Sequence, residues 1–113
     1  MIETNYMRTK EILSTIIDYL ATEEGDMRAR LKIMTPEIFQ LDESYFPNDL
    51  KGEWKFIETT LTKKPEKLNY KKEQVLGSVE NTLNHMKNKT ACNVAKSLYI
   101  LYEEFYFGKY ASV

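Results

Sequence analysis

Apolar residues return at helical spacing in stretch after stretch of this chain, and nowhere do they alternate with polar ones over the length of a strand. The last third is the clearest case, where Val94, Leu98, Leu101, Tyr102 and Phe105 share one side of a helical wheel. In the first third Ile12, Leu13, Ile16, Ile17 and Leu20 fall within an arc of about 140°, opposite Glu11, Ser14 and Asp18. Only four Gly and three Pro among 113 residues leave little material for turns, so the pattern predicts few, long elements. A chain of this length fits one domain and can bury one core without metals or disulfides. The expected fold is therefore all-α: a single helical domain over residues 1–113, built as an irregular bundle of about five helices with a C-terminal antiparallel helical hairpin.

The elements follow from caps and breakers. The first helix is predicted from Tyr6 to about Glu23, stopped by Gly25, and Asp26 caps a shorter second helix with Met27, Leu31 and Met34 inward. Thr35-Pro36 reads as a further cap with Pro at the first helical position, followed by no more than a turn. Residues 35–49 are the least regular, yet Ile38, Phe39, Leu41, Tyr45 and Phe46 predict a packed connection, with a docking surface as the alternative. Pro47 and Asn48 or Asp49 open a third helix carrying Leu50, Trp54, Ile57 and Leu61, with Phe56 about 100° off that stripe. Lys63 to Lys67 form a basic loop. A fourth helix is expected from about Tyr70 to Lys87, with Val75, Leu76, Val79, Leu83 and Met86 on one face and Gly77 inside it at about 1 kcal/mol relative to Ala. Asn88-Lys89-Thr90 makes a tight corner, and the fifth helix runs from Ala91 to about Phe107, ended by Gly108. So short a corner predicts an antiparallel hairpin of helices four and five; if it stays helical, the two fuse into one rod.

Charge is distributed unevenly beneath a net value of −1. Residues 1–60 hold seven Lys and Arg against twelve Asp and Glu, whereas residues 61–100 hold eight Lys against three Glu. Such bipolarity points to two faces with different partners, or to two halves that attract each other. The single Cys92, among Ala91, Val94 and Ala95, reads as a small packing residue. The first turns lack the apolar run of a signal peptide and no stretch reaches the roughly 20 apolar residues of a membrane span, so a cytoplasmic protein is expected.

No metal-ligand spacing, phosphate loop or cofactor motif stands out, and no cofactor or metal is expected. The single histidine, His85, lies in a polar stripe with Ser78, Asn81 and Asn88 on the expected fourth helix, with no carboxylate placed to orient it. Asn81 and His85 stand at a spacing that resembles the polar residue and histidine of helical ribonucleases, where an Arg takes part that this segment lacks. Adjacent carboxylates at Glu23-Glu24, Asp42-Glu43 and Glu103-Glu104 point about 100° apart on a helix and do not make a two-carboxylate site. The C-terminal aromatics Tyr99, Tyr106, Phe107 and Tyr110 flank or follow the inner stripe, and tyrosines with an apolar body and a polar tip are enriched at interfaces.

These features predict a non-enzymatic protein that binds a protein partner or a second copy of itself through Tyr99, Tyr106, Phe107, Tyr110, Ser78, Asn81, His85 and Asn88. The alternative is nucleic-acid binding, with or without cleavage, through Lys63, Lys64, Lys67, Lys71, Lys72, Lys87 and Lys89 together with His85. A third reading is an adaptor or inhibitor whose acidic half, with Glu23, Glu24, Asp26, Asp42 and Glu43, covers a basic surface on its target.

Overall fold

The computed structural model describes residues 2–111, with the side chains of residues 2–5, 75 and 76 outside the description. Five helices carry the fold: α1 (Ile2–Thr22), α2 (Met27–Ile38), α3 (Lys51–Leu61), α4 (Ser78–His85) and α5 (Asn88–Tyr106). The architecture is all-α, as the periodicity predicts. Ile12, Leu13, Ile16 and Leu20 of α1 meet Leu31, Met34 and Ile38 of α2, Trp54, Ile57 and Leu61 of α3, and Val94, Leu98, Leu101 and Phe105 of α5 in one core. The axis of the bundle is α5, which packs against α1, α2 and α3. It runs antiparallel to α1: Tyr106 near its end donates to the carbonyl of Lys10 at 3.1 Å, while Asn88 at its start meets Met27, just beyond the end of α1.

The acidic residues of the first half are partly caps. Asp26 accepts from the amide of Ala29 at 3.2 Å and pairs with Arg28 at 2.6 Å, and the Arg28 guanidinium with the amides at this helix start holds its carboxyl below the usual range. Asp42 accepts from Ser44 at 2.8 Å and opens a 3-10 turn over Glu43–Tyr45. Around that turn the 39–50 connection folds inward, and Leu41, Phe46 and Leu50 are buried. Phe46 stacks on Trp54 with ring centroids 5.5 Å apart. Pro36, expected to start a new turn, lies inside the last turn of α2, where Thr35 bonds back to the carbonyl of Leu31 at 3.0 Å.

The expected fourth helix is corrected over most of its length. Residues 70–77 are not helical; Lys67–Leu68 (β1) and Gln74–Leu76 (β2) form a small antiparallel hairpin, with Lys67 opposite Leu76 and Leu68 opposite Gln74. The cause is Asn69, whose side-chain oxygen accepts from the amides of Lys71 at 2.8 Å and Glu73 at 3.0 Å, a local alternative to helical bonding. That turn places Lys72 in the left-handed region at φ 64°. Val75 and Leu76, expected on the inner face of a helix, fall in β2 and their side chains lie outside the described ones. Gly77 stands at the N-cap of α4 in extended conformation, so it costs no helix propensity.

The corner after α4 is likewise displaced. Met86 and Lys87 are both extended, which separates α4 from α5 and excludes one continuous rod, and Asn88-Lys89-Thr90 form the first turn of α5 rather than the corner. With eight residues, α4 packs on α2 and α3, and its pairing along α5 is not among the principal helix contacts. Asn88 accepts from the amide of Met27 at 3.1 Å, so a residue on α5 caps the start of α2 from 61 positions away. Asn88→Ala is expected to cost about 1 kcal/mol of stability; a chemical-denaturation midpoint unchanged from wild type would show that this cap is dispensable.

Candidate binding groove

The loop after α3 is held by one face of α4. The amide of Lys64 donates to the Thr82 hydroxyl at 2.9 Å, which in turn donates to the carbonyl of Ser78 at 2.8 Å. The Ser78 hydroxyl donates to the carbonyl of Lys64 at 2.5 Å, and the Asn81 amide to that of Pro65 at 2.9 Å. Thr82 is buried, whereas Ser78, Asn81 and the loop they hold stay partly open to water. Two members of the predicted polar stripe, Ser78 and Asn81, therefore serve the fold, and Asn88 does so as the cap of α2.

The loop held in this way, α3 and the junction of α4 with α5 border a groove of about 1480 Å³. One wall is α3, with Lys55, Phe56, Glu58 and Thr59; the other is the end of α4 and the start of α5, with His85, Lys87, Thr90 and Asn93. Phe39 and Met86 contribute apolar surface from within, and Lys63 and Lys64 stand on the loop. Phe56 is 44% exposed, an apolar ring left open because it lies off the stripe that buries Trp54 and Ile57. The charge is one-sided: four lysines face the single carboxylate of Glu58, which already pairs with Lys55 at 3.4 Å.

His85 sits on this wall, exposed, with Nδ1 at 2.9 Å from the carbonyl of Asn81. A carbonyl only accepts, so Nδ1 carries the hydrogen and the lone pair of the neutral ring is on Nε2. No carboxylate hydrogen-bonds to it among the described residues, and no group of three His, Cys, Asp or Glu there could hold a metal. Of the seven predicted lysines, Lys63, Lys64 and Lys87 line the groove; Lys67 belongs to β1, Lys71 and Lys72 to the hairpin turn, and Lys89 to the first turn of α5 outside the lining. Sequence reasoning missed Lys55, Thr59, Thr90 and Asn93. Their one sequence signal is that Lys55, Phe56 and Thr59 lie off the α3 stripe.

The aromatic end of α5 is a separate surface, because Asn88 and Tyr106 lie about 27 Å apart along the helix and α4 packs elsewhere. Tyr99 and Tyr106 flank half-buried Tyr102, with ring centroids 5.9 and 4.8 Å from it, and Phe107 is 75% exposed. Tyr110 turns inward against Tyr6 and Phe105, both at 5.8 Å, and donates to Asp49 at 2.6 Å. That bond to a carboxylate pushes the Tyr110 phenol up to about 12, and the same bond, with Lys109 nearby, holds Asp49 below the usual range. The sign follows: the raised phenol contributes stability that is complete below pH 10 and is lost as pH rises through about 12. The lowered carboxyl contributes stability present above the ordinary Asp range and lost as pH falls through its folded value. Ultraviolet titration is expected to show Tyr110 ionising late, with Tyr6 also held up by its burial and by the Asp49 charge, and Asp49→Asn to return Tyr110 toward 10; an unchanged curve would break the assignment.

No helix among the described residues is long and apolar enough to cross a membrane. No family model, curated protein or solved structure matches the chain.

Proposed function

We propose that the protein acts by binding rather than by catalysis, and that its groove takes an acidic, amphipathic segment of a protein partner. The observation that carries this reading is the pairing of apolar Phe39, Phe56 and Met86 with a rim of Lys55, Lys63, Lys64 and Lys87 in one concavity. At about 1480 Å³ the groove exceeds the usual range of pockets for small ligands and suits a macromolecular segment. A helix laid in such a groove buries its apolar face against the phenylalanines and meets lysines with its carboxylates. Nucleic acid fits less well: no Arg occurs after Arg30, so bidentate phosphate forks are missing, and Lys67, Lys71 and Lys72 do not continue the lining.

The test is a nuclear magnetic resonance titration with acidic amphipathic helical peptides, their charge-reversed counterparts and single-stranded oligonucleotides. Shifts at Phe56, Thr59, His85 and Met86 caused by the acidic peptides alone are the expected result. Oligonucleotide binding with a steep salt dependence would replace this reading by the nucleic-acid one, and no binding by any probe would remove the groove as the site.

A further inference from the structure

The solvent side of α5 carries a pattern that is its own complement. On a wheel at 100° per residue Lys96 and Glu103 lie within about 20° of one another, with Tyr99 and Ile100 to either side of that line. Tyr99 and Ile100 are 46% and 44% exposed, a large apolar pair open on a helix that otherwise forms the axis of the core. Lys96 and Glu103 flank that pair at equal distances in sequence, both exposed and neither in an ion pair among the described residues.

We propose that this face is a self-association surface, on which a second copy of the chain lays its own α5 antiparallel about a two-fold axis at the midpoint of Tyr99 and Ile100. In that register Lys96 meets the partner's Glu103 and Glu103 meets the partner's Lys96, so one contact is made twice, as an isologous interface requires. Tyr99 then covers the partner's Ile100. Competing registers fail on charge. A parallel pair opposes lysine to lysine and glutamate to glutamate, and an antiparallel pair centred on Glu103 opposes the two carboxylates. One centred on Lys96 opposes the lysines and leaves Tyr106 beyond the start of the other helix. The helix is presented rigidly, since Asn88 ties its start to α2 and the Tyr110–Asp49 bond ties the chain just past its end. A single helix face is small for an interface, which sets a weak, concentration-dependent dimer.

Sedimentation equilibrium from about 10 μM to about 1 mM tests this. The wild type is expected to rise from 13.3 kDa toward twice that mass. Lys96→Glu and Glu103→Lys, each turning both charge contacts repulsive, are expected to weaken association by at least about tenfold. The double variant restores it, because the swapped charges are again complementary only in this register. A wild type that stays at 13.3 kDa, single variants that associate normally, or a double variant as weak as the singles overturns the proposal. The wild type does not cross-link in this register, since its two Cys92 residues lie about 22 Å apart along the helices. Disulfide cross-linking of the wild type under mild oxidation overturns the register.

Discussion

Replacing Trp54 with alanine is expected to lower the unfolding free energy by about 3–5 kcal/mol. The ring is fully enclosed and joins three parts of the fold: it belongs to α3, stacks on Phe46, and meets the Phe39 edge at 6.2 Å. Phe46 in turn lies 6.2 Å from Phe105 of α5, so deleting the indole leaves a cavity lined by aromatic groups that cannot all close over it. A domain of this length has roughly 6–17 kcal/mol in total, so the loss is a large share of what holds it folded. Trp54→Phe is expected to cost less, about 1–2 kcal/mol. It keeps an aromatic group in place and removes an indole N–H that is buried without a hydrogen-bond partner, relieving an unmet donor. Urea unfolding followed by far-ultraviolet circular dichroism measures both, since the chain has one tryptophan and its fluorescence disappears with the substitution. A loss below about 1 kcal/mol for Trp54→Ala would show that the site collapses freely and is not the anchor described.

The second large effect is on binding. Simultaneous Lys63→Glu, Lys64→Glu and Lys87→Glu are expected to weaken capture of an acidic segment by about 100-fold. An exposed ion pair contributes roughly 0.2–1 kcal/mol, and reversal replaces attraction by repulsion, so three sites together amount to about 3 kcal/mol. The matching triple reversal at Lys67, Lys71 and Lys72 is expected to weaken binding far less, because none of the three lines the groove and each acts only through a longer, salt-screened distance. Titration calorimetry of both variants separates the cases. Equal losses would mean that the ligand follows the basic surface at large, as a nucleic acid does, and not the groove.

Periodicity carried most of the fold because a buried stripe must recur at 3.6 residues wherever a helix lies on a core. Ile12 to Leu20, Leu31 to Ile38, Trp54 to Leu61 and Val94 to Phe105 all show that recurrence and are all buried. The second helix runs on to Ile38 where the residue pattern predicts a looser connection, and the main misreading fell on residues 70–77, where lysines, a glutamate and a few apolar residues fit a helical wheel loosely. There the Asn69 side chain gave the backbone another set of hydrogen bonds, and the chain turned into a hairpin. The same reasoning read the basic loop correctly as charge but could not assemble the groove, since Lys55 and Lys87 reach it from elements that periodicity treats separately.

What the residues determined alone was local: which faces of α1, α2, α3 and α5 are apolar, where caps and basic runs stand, and that the chain builds helices. What only packing decided was which groups meet. Ser78, Asn81 and Asn88 looked like an exposed polar stripe, yet they hold Lys64, Pro65 and Met27, because a side-chain amide or hydroxyl bonds whichever orphan backbone group the fold brings within reach. Tyr110 looked like a surface tyrosine and is drawn inward to Asp49, 61 positions away. Helical spacing is a property of neighbours in the chain, whereas hydrogen-bond satisfaction and charge pairing depend on neighbours in space, and those exist only once the core has closed.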